Sequence, residues 1–145
     1  MKLSLDDTYC IRSWDWDDVP SLAKHANNRN VWINLRDRFP YPYAHTDARA
    51  CIRSAKEEKP ETTFAIATPQ EVIGGIGLVL QSDVHRMSAE LGYWVAEPYW
   101  GKGIATLSRV LEKAGFTFEG RLRKNVIKDN RITDSLICAK LKEDL

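Results

Sequence analysis

A chain of 145 residues, 43% hydrophobic and 28% charged, has the size of one domain and the composition of a folded globular protein, which excludes wholesale disorder. Its 21 Lys+Arg against 20 Asp+Glu leave a net charge of +1, so no global basic field exists to hold a nucleic-acid backbone. The longest apolar run, Val72 to Leu80, is broken by three glycines and falls short of the roughly 18 residues a membrane span needs.

Cys10-Ile11-Arg12-Ser13-Trp14 alternates apolar and polar residues and predicts a first strand. Asp15 to Asp18 offer caps and negative charge for a helix in which Val19, Leu22, Ala23 and Ala26 share one stripe. Asn27 to Asn30 interrupt it, and Val31, Trp32 and Leu35 resume a short helical stripe. Phe39-Pro40-Tyr41-Pro42-Tyr43 cannot continue a helix. Thr46 then caps a predicted helix over Asp47 to Lys59, with Ala48, Cys51, Ile52 and Ala55 inward, and Pro60 ends it.

From Thr63 the period becomes that of strands. Thr63 to Ala67, Val72 to Gln81 and Met87 to Ala96 read as three strands, the glycines of the second pointing to a bulge or a close backbone approach. In the third, Ala89, Leu91, Tyr93 and Val95 share one face, and Glu90, Gly92 and Trp94 the other. Ile104, Leu107, Leu111 and Ala114 make a helical stripe closed by Gly115 as its C′ residue. Phe116 to Val126 and Arg131 to Leu141 form a hairpin around Lys128-Asp129-Asn130. The order predicts a single α+β domain over residues 1–145, built on a mainly antiparallel sheet flanked by helices.

The residues at the amino end, Met1 to Asp7, lack the apolar stretch of a secretory signal. Cys10, Cys51 and Cys138 are odd in number and without Cys-x-x-Cys spacing, so they read as reduced thiols of a cytoplasmic protein. His25, His45 and His85 lack ligand spacing, and no metal site is expected. Arg121, Arg123, Lys124, Lys128 and Arg131 read as a solvated hairpin, and neither nucleic acid nor membrane is expected as a partner.

Chemistry concentrates in Trp100-Gly101-Lys102-Gly103-Ile104-Ala105, between a predicted strand and a predicted helix. Two glycines let backbone N–H groups approach a bulky anion, and a helix N-terminus adds unpaired donors and positive potential. A phosphate or pyrophosphate fits such a loop. Neither the Walker spacing nor a dinucleotide fingerprint is present.

Ala89-Glu90-Leu91-Gly92-Tyr93-Trp94-Val95 followed by Pro98-Tyr99-Trp100-Gly101-Lys102-Gly103-Ile104-Ala105-Thr106 resembles the acetyl-CoA-binding motif of the GNAT N-acetyltransferase superfamily. Arg109 to Phe116 with Glu119-Gly120 looks like the family's last helix and strand. Ile11-Arg12, Asn27-Asn28 and Phe39 to Tyr43 are similar to the branch of the ribosomal-protein N-terminal acetyltransferases. The resemblance covers nearly the whole chain, with one departure. The family's long helix after the phosphate loop, and the strand that follows, are missing, a loss on the order of 25–30 residues.

The resemblance implies acetyl-CoA as co-substrate, with Tyr93, Trp94 and Val95 along the pantetheine arm. It implies phosphate binding by Trp100, Gly101, Lys102, Gly103, Ile104, Ala105 and Thr106. Transfer to an amine needs a neutral amine, donors for the thioester oxygen and an acid for the leaving thiolate. Glu90 is the candidate base, Ser108 and Tyr99 the candidate acids, and Phe39 and Tyr43 candidates to line an acceptor pocket. The reaction implied is direct attack of a primary amine, a protein N-terminus or a small amine, on acetyl-CoA in a ternary complex. The alternative is a non-catalytic acyl-CoA-binding or regulatory protein with an incomplete fold. An edge exposed by the missing strand would also favour a homodimer by strand pairing.

Overall fold

Five short strands, each antiparallel to its neighbour, form a sheet in the order β1-β2-β3-β4-β5. They are β1 (Lys2–Ser4), β2 (Cys10–Arg12), β3 (Thr63–Ala67), β4 (Val72–Leu80) and β5 (Ala89–Val95). Three helices fill the excursion from β2 to β3: α1 (Val19–Ala26), α2 (Arg29–Trp32) and α3 (His45–Glu57). The computed structural model describes residues 2–5, 7–101 and 115–142. It forms two compact units, Met1–Pro98 and Tyr99–Leu145.

The first unit holds its core between one face of the sheet and the stripes of α1 and α3. Leu22, Ala23 and Ala26 meet Ala48, Ile52 and Ala55 over Ala65, Ala67 and Val72, all under 5% exposed. The small sheet residues let the helices sit close, and the stripes are those expected from helical spacing. A bidentate ion pair, Arg12 to Asp18 at 2.8 and 2.7 Å, ties β2 to the turn before α1. The α3 helix starts two residues earlier than expected. Its cap is made from within, because the Asp47 carboxylate reaches back to the Ala44 N–H at 2.8 Å, and Thr46 is not the cap. β1 was not expected, since its three residues are all exposed and exist as a strand only through β2.

The β4–β5 ladder changes character along its length. Val72, Ile73, Gly74 and Gly75 are buried, whereas Leu78, Val79 and Leu80 are exposed, opposite Leu91, Glu90 and Ala89. Of the alternatives expected of the β4 glycines, the close approach is at Gly74 itself, and a register irregularity stands beside it at Ile73. The register shifts between Ile66 and Ala67, and a Cβ on Gly74 would lie 2.2 Å from the Trp94 carbonyl oxygen. Gly75 also clears space, since a Cβ there would stand 3.0 Å from the Trp94 indole nitrogen and 3.3 Å from the Trp14 ring.

The second unit holds a two-stranded hairpin of β6 (Thr117–Lys128) and β7 (Arg131–Ala139). Asp129 and Asn130 both have positive φ, 50° and 58°, the backbone that a tight two-residue turn with right-handed twist demands. Arg121 pairs with Asp134, which also accepts the Lys124 N–H at 2.7 Å. The expected helix over Ile104 to Ala114 and the point of the expected deletion lie outside the described residues. Among the described residues β5 pairs with β4 alone.

Candidate active site

The face of β5 that carries Glu90, Gly92 and Trp94 is overlain by the segment from Asn28 to Tyr43. That segment is tied to the strand at three heights. Arg36 donates to the Glu90 carboxylate. The Phe39 ring stands edge-on to Trp94 with centroids 5.7 Å apart. Asn28 and Asn30 donate to Glu97, just past the strand, at 2.7 and 2.8 Å. Between the ion pair and the rings lies Gly92, where an added Cβ would meet nothing within 4 Å. The arrangement is an open notch with a charged side, an aromatic side and a glycine floor.

Glu90 and Arg36 are both about half exposed, with side chains at 51% and 59%. One Glu90 oxygen is engaged by Arg36. Phe39 is half-buried and packs on the core. Tyr43 differs from the expectation of a pocket lining. It is 6% exposed within the core cluster, its ring tilted on Phe39 at 5.0 Å. Burial first, then the neighbouring Cys51, pushes its hydroxyl well above the ordinary tyrosine range. Its N–H is fixed by the Asn27 side chain at 3.0 Å. Tyr43 therefore supports Phe39 from beneath and offers no open surface.

On the opposite face of β5, Val95 is buried and Tyr93 half-buried. The Tyr93 hydroxyl is buried without a hydrogen-bond partner, and burial raises its pKa. It is thus a neutral donor at neutral pH. Gly101 has φ +74° with open space around it, so the backbone conformation, not crowding, calls for glycine there. Trp100 is 38% exposed and Tyr99 half-buried. Lys102, Gly103, Ile104, Ala105, Thr106 and Ser108 lie outside the described residues. Among those described, no group of three or more His, Cys, Asp or Glu could hold a metal ion, and no helix is long and apolar enough to cross a membrane.

Sequence reasoning missed four residues of this arrangement. Arg36 sits in an unpatterned loop, and nothing in its surroundings marks it as a partner for Glu90. Asn28 and Asn30 read as a helix interruption, and Asn28 also as part of the family resemblance, although an asparagine before a short apolar stripe is a cap signal. Glu97 follows the predicted strand with no signal of its own. A cavity of about 560 Å³ elsewhere in the first unit, bordered by Lys2, Arg12, Asp18 and Glu71, contains none of the expected site residues.

No curated protein sequence matches this chain. Solved structures share the fold. Mycobacterium smegmatis RimJ in complex with CoA-disulfide is 20% identical, with a TM-score of 0.76 over 100% of this chain and 88% of its own. RimL, a ribosomal L7/L12 alpha-N-protein acetyltransferase in complex with coenzyme A, is 16% identical with a TM-score of 0.73, over 97% and 98%. A GNAT-family acetyltransferase from Bacillus anthracis is 18% identical with a TM-score of 0.74, over 99% of each chain. The sequence profile of the acetyltransferase (GNAT) domain matches residues 9–112, which include the helices, the sheet beyond β1 and the glycine loop. The chain belongs to the GNAT acetyltransferase family and is an acetyl-CoA-dependent acetyltransferase.

Proposed function

We propose that the acceptor is a primary amine of the α-amino type, a protein N-terminus or a small amine, which attacks acetyl-CoA directly in a ternary complex. The observation that carries the reading is the notch over Gly92, open between the Arg36–Glu90 pair and the Phe39–Trp94 rings. Glu90 is the base, acting through its free oxygen or a water. An α-amine has a pKa near 7.7–8.0 against about 10.4 for a lysine-type amine, so it needs the least help from a carboxylate already engaged by arginine. Ser108 is the proposed acid for the leaving thiolate, and Phe39 the aromatic wall of the acceptor pocket. Tyr93, Trp94 and Val95 hold the pantetheine arm, and the loop from Trp100 through Gly101 to Thr106 takes the phosphates.

Residues 1–145 act as one domain in this reading, supported by solved structures that match 97–100% of the chain. The cytoplasm is the proposed compartment, in keeping with three free cysteines. A homodimer through the edge of β5 that has no strand partner among the described residues belongs to the same proposal. The pantetheine arm uses that strand too, so acetyl-CoA should shift such a dimer toward monomer in sedimentation.

Thiol release from acetyl-CoA tests the acceptor class. A peptide with a free N-terminus should be turned over at neutral pH. The same peptide with its N-terminus blocked and a lysine retained should react at least about tenfold more slowly. Equal rates, or a preference for the lysine, would overturn the α-amine reading.

A further inference from the structure

Glu97 sits two residues past the buried end of the β4–β5 ladder at Val95, just after the Ala96 N–H to Ile73 C=O bond at 2.7 Å. From there a single 3-10 turn, Glu97–Tyr99, leads to Trp100 and Gly101. Pro98 inside this turn has no N–H to give. Both oxygens of the Glu97 side chain are nevertheless fixed. Oε2 accepts from Asn28 Nδ2 at 2.7 Å and Oε1 from Asn30 Nδ2 at 2.8 Å.

Asn28 is used at both ends of its amide. Its Oδ1 accepts the N–H groups of Asn30 and Val31 at 2.8 and 3.3 Å and so caps α2. The cap is complete without the nitrogen. The Nδ2 bond therefore serves the turn at Glu97, reaching across 69 residues of sequence. These two bonds, Asn28 first, hold the Glu97 carboxyl below its ordinary range. The carboxylate is ionised at neutral pH, and its bonds are charge-assisted.

We infer that Asn28, Asn30 and Glu97 form a clamp that sets the entry of the acetyl-CoA phosphate loop and joins it to the segment overlying the acceptor notch. The inference rests on the reading that this loop takes the CoA phosphates. Glu97 is a positioning residue and touches neither substrate. A loop whose backbone donors must converge on an anion loses affinity when its entry is free to move, because binding must then order it. The same bonds hold the start of α2 to Glu97.

The test separates capping from clamping. Asn28→Asp keeps a good capping oxygen on α2 but turns the Glu97 donor into a second carboxylate facing the first. It should weaken acetyl-CoA binding about tenfold in calorimetry, with thermal melting within about 3 °C of the unaltered protein. Adding Glu97→Gln restores a donor with reversed polarity and should recover most of the affinity. Asn30→Ala removes one of the two bonds and should give a smaller loss, about threefold. A purely structural defect would lower the fraction of binding-competent protein, read as stoichiometry, and leave Kd unchanged. Acetyl-CoA binding within twofold in Asn28→Asp, or no recovery in the double variant, would overturn the clamp alone. Absence of binding in the unaltered protein would overturn the loop reading and the clamp together.

Discussion

The two ends of the β4–β5 ladder are held by different physics. At one end Gly74 brings two backbones so close that a methyl group would overlap the Trp94 carbonyl, and Val72, Ile73 and Val95 are buried around it. At the other, Leu80 faces Ala89 in the open, and Glu90 is held by a half-exposed arginine. The first end is a scaffold fixed by shape. The second is exposed and charged. Gly92 lies at the boundary between them, paired with Gly77 and with nothing within 4 Å of an added Cβ.

The largest effect expected from probing this contrast is Gly74→Ala. The new Cβ meets backbone that cannot step aside, so destabilisation should reach about 3 kcal/mol or more. Thermal melting should fall by about 10 °C. Glu90→Gln acts on the other end, where an exposed ion pair adds only about 0–1 kcal/mol. It should leave melting nearly unchanged while lowering turnover about 100-fold at neutral pH, and unchanged turnover would remove Glu90 from the mechanism. Gly92→Val is the sharpest comparison with Gly74→Ala. It adds more bulk but into open space, so stability should hold while the acceptor KM rises about fivefold, an effect of about 1 kcal/mol. A collapse of stability there would erase the distinction between the two ends.

Tyr93→Phe should cost no stability and raise melting slightly, because it removes a buried hydroxyl that has no partner. The smallest expected effect is one of pH. Lys24, desolvation in opposition, and then His25 set the Glu71 carboxyl below its ordinary range. A depressed carboxyl stabilises the fold above its unfolded pKa and loses that contribution as pH falls through its folded value. Glu71→Gln should therefore narrow the gap in melting temperature between pH 7 and pH 3, by about 1–2 °C for a partly exposed network.

Much of this fold was legible in the chain because its periodicities report burial. Ala48, Ile52 and Ala55 are buried as expected and Cys51 packs against the core, while β5 alternates only in part, with Ala89 exposed and Trp94 packed on the core. β1 was not legible, since three exposed residues have no pattern until β2 lends them hydrogen bonds. The start of α3 was misplaced because Asp47 caps it backward from inside the first turn. In the site, glycines and aromatics were readable as types, but their partners were not. Arg36 and Glu90 are 54 positions apart, and no local rule links them. Tyr43 and Phe39 looked alike in an aromatic-proline stretch, and only packing assigns one to the core and the other to the notch.

The strand order has a temporal consequence. β3, β4 and β5 are sequence neighbours joined by short turns, so their pairing closes small loops. β2 must instead wait for Ala65 to Ala67, with all three helices to be accommodated in between. Loop-closure entropy makes that pairing the late event. On the ribosome, β2 emerges well before its partner exists. Arg12 and Asp18 are already within six residues of each other, so the waiting strand can be held to the root of α1 until β3 arrives.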